Sequence, residues 1–104
     1  MTLRPPSRFS GSGNAPDFLG LLDHEIAAEK ASALGRAGER VERTLARLRA
    51  HDADASARLT LLKEAAEAVY AYFIQRELCG MRRHHDVIRE CQIPNEVLVR
   101  LGAK

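Results

Sequence analysis

The sequence contains no Trp, and its three Phe and two Tyr make aromatics only 5% of 104 residues. Its core must therefore come from Leu, Val, Ile and an unusually large number of Ala. Ala favours helix but removes little apolar surface from water, so packing against a second copy is an attractive way to bury more. Long hydrophobic runs are also missing. None approaches the roughly 20 residues that cross a bilayer, and no charged-then-apolar leader opens the chain, so the expectation is a cytoplasmic protein without a membrane partner. Charge of one sign is lacking too: 16 basic residues face 14 acidic ones for a net charge of +2, which by itself points to neither nucleic acid nor a membrane surface. Cysteine is scarce. Cys79 and Cys91 fall in no CxxC or zinc-ribbon arrangement and are expected as reduced, buried, inert thiols. No segment repeats at a fixed spacing, which argues against a solenoid.

What is present is helical patterning. Residues 1–13, with Pro5, Pro6, Gly11 and Gly13, read as a flexible arm, and residues 14–104 as a single helical domain. Asn14 and Asp17 flank Pro16 as a helix start. A first helix over about 15–50 then carries Phe18, Leu22, Ile26, Leu34, Val41, Leu45 and Leu48. At roughly 100° per residue, Phe18, Leu22 and Ile26 point about 100° away from Leu34, Val41 and Leu45. Gly35 and Gly38 sit where the stripe drifts, marking either a kink or a close helix contact in a continuous or slightly bent helix.

A short connection containing Asp52 and Asp54 leads into a second helix over about 55–79, predicted antiparallel to the first. One of its faces bears Leu59, Leu62, Ala66, Val69 and Phe73, and the adjoining face bears Leu61, Ala65, Ala68, Tyr72 and Cys79. Together they cover roughly 200° of circumference, too much for one neighbour. The set Leu61, Leu62, Ala65, Val69, Tyr72 and Phe73 is thus expected as a core or dimer face. Gly80 ends this helix, a third is predicted over 81–91, and a fourth over 94–101 begins with Pro94 near its first position. This apolar tail should fold back on the hairpin of its own chain or of a partner. The fold class expected is all-α: an antiparallel two-helix hairpin plus a short C-terminal helix pair, in a dimeric bundle.

The segment Tyr72 to Gly102, YFIQRELCGMRRHHDVIRECQIPNEVLVRLG, resembles the C-terminal half of a family of short bacterial proteins classed as a domain of unknown function, most closely at QRELCG and IPNEVLVRLG. The resemblance implies an all-helical fold and assigns no activity, cofactor or site residue.

Candidate chemistry is sparse. In Arg82-Arg83-His84-His85-Asp86 the adjacent histidines diverge on a helix, and no carboxylate lies three or four residues from either, so a solvated or interface face is expected rather than a metal site. The acidic group Asp23, Glu25 and Glu29 beside His24 lacks the Glu-x-x-His pairing of carboxylate bundles. Arg36, Arg40, Arg43 and Arg47 align on one outward stripe that could follow phosphates, diluted by Glu39. Calling the last two helices a helix-turn-helix would put Val97, Leu98, Val99 and Leu101 where polar base contacts belong, so core packing is the better use for them. No nucleophile, Gly-rich phosphate loop or paired ligand set stands out, and neither catalytic residues nor a cofactor is expected. The leading expectation is a non-enzymatic interaction or scaffold protein that homodimerises, and the alternative is a nucleic-acid or polyanion binder using the Arg stripe.

Overall fold

The computed structural model describes residues 15–51 and 54–102; the predicted arm, the Asn14 helix start and Asp52 lie outside them. Among these residues there are four helices and no strand: α1 (Ala15–Ala50), α2 (Ala55–Leu78), α3 (His85–Glu90) and α4 (Asn95–Leu98). The chain divides into two units, Met1–Ala31 and Ser32–Lys104.

In the first unit, the described part of α1 buries nothing. Every side chain from Phe18 to Ala31 is exposed, including Leu19, Leu21, Leu22 and Ile26. The drift of the apolar stripe thus separates two kinds of surface: Phe18, Leu22 and Ile26 remain in solvent, whereas Val41, Leu45 and Leu48, four and three residues apart, are buried in the second unit. Thr44 sits among them with its hydroxyl satisfied, donating to the carbonyls of Arg40 (2.9 Å) and Val41 (3.0 Å).

Helix α1 passes through Gly35 and Gly38 without interruption. A Cβ on Gly38 would lie 3.3 Å from Cε1 of Tyr72, whereas one on Gly35 would meet nothing within 4 Å. Gly38 therefore lets the Tyr72 ring approach the α1 backbone, and Gly35 has no such reason to lack a side chain. Gly35→Ala is expected to stabilise the fold by about 0.5–1 kcal/mol through helix propensity. Gly38→Ala should gain less, because the ring must give way. Thermal unfolding of the two variants side by side checks the order.

Helix α2 starts on Asp54, whose carboxylate accepts from the Ala57 amide at 2.9 Å. It ends in a Schellman motif. Gly80 takes φ +90°, the Met81 amide donates to the Arg76 carbonyl (2.9 Å) and the Gly80 amide to the Glu77 carbonyl (3.0 Å). Two adjoining rows of α2, Leu61-Ala65-Ala68 and Leu62-Ala66-Val69, are buried; Leu59, predicted to share the face, is 38% exposed. Leu59 lies in the first turn and a half of α2, before the buried rows begin.

The wide apolar face of α2 receives its second neighbour from the same chain. Val87, Ile93 and Val97 complete the core, with Ile88, Leu98 and Leu101 packed around them, and α4 lies on α2. An ion pair between Arg58 and Glu96 (2.7 Å) ties α2 to α4 at the surface. The third and fourth helices are shorter than predicted. Residues 81–84 are not helical, because the Schellman turn redirects the chain and α3 begins only at His85. Pro94 occupies the N-cap of α4 rather than its first helical position, and α4 gives way after Leu98 to a turn ending at Gly102, φ +76°. Between these helices Gln92 adopts φ +52° in a second Schellman motif, with the Ile93 amide bonded to the Ile88 carbonyl at 3.0 Å.

Candidate functional site

The polar residues singled out in the sequence lie in three places. The first is the seam between α1 and α2. The Arg stripe was expected to point outward, but two of its four members turn toward α2: Arg40 lies 3.6 Å from Glu67 and Arg47 3.0 Å from Glu64. Glu64 Oε1 is shielded from solvent, and its contact with Arg47 is ionic rather than a directed hydrogen bond. Arg36 and Arg43 are exposed. Near the end of α1, Arg47, Ala50 and His51 face Ala57, Thr60 and Leu61 of α2 across an open depression of about 620 Å³, where the Thr60 hydroxyl donates to the Ser56 carbonyl.

The second place is the redirected segment after α2. His84 was expected on a solvated or interface face, yet its side chain is only 14% exposed. Its ring stacks on Phe73 with centroids 4.2 Å apart and planes 4° from parallel. Arg76 Nε donates to His84 Nδ1 at 3.1 Å, which makes Nδ1 an acceptor and leaves the proton on Nε2, 3.1 Å from the Glu77 carboxylate. Arg76 also donates to the Arg83 carbonyl at 2.9 Å, and its guanidinium lies 5.8 Å from the Tyr72 ring centroid. The arrangement is a brace holding residues 83–84 against α2. His85, its neighbour, is exposed. Among the described residues no group of three or more His, Cys, Asp or Glu could hold a metal ion.

The third is the C-terminal end of α3, where Arg49 from α1 donates to the carbonyls of Cys91 (2.8 Å) and Gln92 (2.6 Å). A cation here complements the negative helix end. Arg49 had no motif to reveal it, since its partners lie more than forty residues away. Cys79 and Cys91 are free thiols, both partly exposed rather than buried. Burial pushes the Cys91 thiol up, Glu42 and Glu90 push the same way, and Arg49 and Arg76 oppose them. At neutral pH Cys91 thus holds less thiolate than an ordinary cysteine. Its alkylation by iodoacetamide should be slower than that of a free thiol, with a rate profile displaced to higher pH; mass spectrometry of the labelled peptide measures this.

The residues offered as a core or dimer face divide by depth. Leu61, Leu62, Ala65 and Val69 are buried within the chain, and Tyr72 and Phe73 are partly buried against them. The helix-turn-helix assignment fares poorly on geometry, because α4 is a single turn whose Val97 is fully buried. No helix among the described residues is long and apolar enough to cross a membrane.

These features define an all-helical protein with a small aliphatic core, whose ordered polar clusters hold its own helices together. Over residues 14–104, and so through the first helix as well as the C-terminal segment that carried the resemblance, the chain belongs to DUF6665, a family of unknown function. No curated protein and no solved structure matches it.

Proposed function

We propose that this chain is a non-enzymatic helical interaction protein that works in the cytoplasm as a homodimer, built on an antiparallel hairpin of α1 and α2. The observation that carries this reading is the first half of α1. Between Phe18 and Ile26 it exposes five large apolar side chains, four of them by more than half, and no side chain from Phe18 to Ala31 is buried. A helical segment of this length is marginal in water without tertiary packing, so its apolar stripe calls for a partner. The hairpin is supported by the order of the ion pairs: Arg40 faces Glu67 and Arg47 faces Glu64, so α2 descends as α1 ascends. Sedimentation equilibrium of the full chain should give the mass of two chains at micromolar concentration. A stably folded monomer there would reject the dimer.

The polyanion reading is weaker, because Arg40 and Arg47 are already set against carboxylates. It requires binding to nucleic acid that falls steeply with salt and weakens when Arg40 and Arg43 become Glu.

A further inference from the structure

Two apolar stripes stay in solvent, one in each unit. The first is the α1 stripe of Phe18, Leu22 and Ile26, with Leu19 and Leu21 at its edges. The second lies on α2, where Tyr70, Ile74 and Leu78 follow one another at four-residue spacing, 48%, 41% and 59% exposed. That spacing aligns them along one side of the helix, where they continue the row of Leu62 and Ala66 out of the core, with the Tyr70 ring bordering the turn at Gly102.

The charged side chains near them that lack a partner among the described residues differ in sign. Asp23 and Glu25 lie to either side of the α1 stripe and are exposed, and no partner for either carboxylate is seen among the described residues. Beyond Leu78 the chain presents the exposed side chains of Arg82 and Arg83, whose guanidinium groups likewise have no partner among the described residues. Of the acids near the α2 stripe, Glu67 is paired with Arg40, and Glu77 accepts a hydrogen bond from the neutral His84 ring and keeps its charge.

We propose that the α1 stripe of one chain docks on the Tyr70-Ile74-Leu78 stripe of a second copy, and that the two copies make this contact reciprocally. The inference rests on the homodimer reading and specifies its surfaces. Charge and area both favour a second copy as the occupant. Stripe-to-stripe pairing of two α1 helices would bring Asp23 and Glu25 against their own kind, whereas docking on α2 brings them to Arg82 and Arg83. The α1 stripe alone offers on the order of 1,000 Å² in two copies, below the usual range for a stable interface, while both stripes in both copies offer on the order of 1,600 Å², a standard specific interface. Reciprocity also closes the assembly at two chains and leaves neither stripe wet.

The test uses the full chain, first as wild type, Leu22→Asp/Ile26→Asp, and Ile74→Asp/Leu78→Asp. All substituted side chains are exposed, so the thermal midpoint at low concentration should stay close to wild type in each and certifies folding. Sedimentation equilibrium is expected to show a dimer for wild type and at least a tenfold weaker dimer for each variant alone. An equimolar mixture of the two variants should regain association, because one of its two contacts is intact. Arg82→Glu/Arg83→Glu should also weaken the dimer, and combining it with Asp23→Arg/Glu25→Arg should restore it. If the wild-type dimer survives Leu22→Asp/Ile26→Asp, this inference is overturned while the homodimer stands. Loss of the dimer in Leu22→Asp/Ile26→Asp with an undiminished dimer in Ile74→Asp/Leu78→Asp means that the α1 stripe pairs with itself, loss in both with no recovery on mixing means that the two stripes do not meet, and an open series of masses means that the contact does not close; each of these results also overturns it. A monomeric wild type removes the homodimer reading itself.

Discussion

Replacing Leu45 by Ala is expected to remove about 2–5 kcal/mol of stability, the usual cost of deleting a large aliphatic side chain from a packed site. Leu45 is 1% exposed and belongs to the cluster that includes Val41, Val69 and Val97. With so few aromatics, little nearby can swing in to fill the space, and Ala65, Ala66 and Ala68 on α2 are too short to do so. Against a total of about 5–15 kcal/mol for a typical domain, such a loss places the variant near the edge of folding. Urea denaturation should show a lower midpoint with an unchanged slope. Ile26→Ala, in the exposed stripe, is the contrast: at concentrations where the chain is monomeric it should change stability by no more than its small effect on helix propensity. A cost below about 1 kcal/mol for Leu45→Ala would mean that the core is not centred where α1 meets α2.

The second large effect is expected at His84. Changing it to Ala deletes the stack on Phe73 and both side-chain hydrogen bonds, the one accepted from Arg76 and the one donated to Glu77. The ring pair is worth about 0.5–1.5 kcal/mol and each hydrogen bond about the same net of solvation, so a loss of about 2–3 kcal/mol is expected. Water can reach Arg76 and Glu77 once the ring is gone, which keeps the cost below that of a buried orphan. His84→Phe separates the contributions: it keeps an aromatic surface on Phe73 but gives Arg76 no acceptor, and should recover about half of the loss. The same brace positions the start of α3, where the Ile88 amide bonds to the His84 carbonyl at 2.9 Å. Faster hydrogen exchange at Ile88 in the Ala variant, with the Leu45 region still protected, would locate the damage in the brace.

His84 also shows where the sequence was misleading. Reading residues 81–91 as one helix led to the rule that ligands and partners must sit three or four positions away, and by that rule His84 has no useful neighbour. The segment is not helical there. Once Gly80 turns the chain back, His84 meets Phe73, Arg76 and Glu77, seven to eleven residues behind it. The signal that could have found this was Gly80 itself, read as the reversal of a Schellman motif and not merely as a stop. A similar lesson applies to the Arg stripe. Helical periodicity placed its Cα atoms on the outer side of α1, but an arginine side chain is long enough to lean across a seam, and Glu64 and Glu67 on α2 draw Arg47 and Arg40 there. Periodicity along one helix contains no information about acids on another.

Composition and local pattern by themselves were enough to determine that the protein is helical, where α1 and α2 run and that Gly80 ends α2, and to offer Asp52 and Asp54 as caps without choosing between them, because a helix is made by hydrogen bonds and side-chain spacings within four residues. The same patterns marked Val41, Leu45, Leu62 and Val69 as apolar contacts without saying what they touch. Only the tertiary structure decided that the C-terminal segment of the same chain covers α2, that Arg49 caps α3, that His84 is braced beneath Phe73, and that the stripes of Phe18 to Ile26 and Tyr70 to Leu78 remain in solvent. Each depends on where the backbone brings residues far apart in sequence, and a 3.6-residue repeat specifies a face but never its partner.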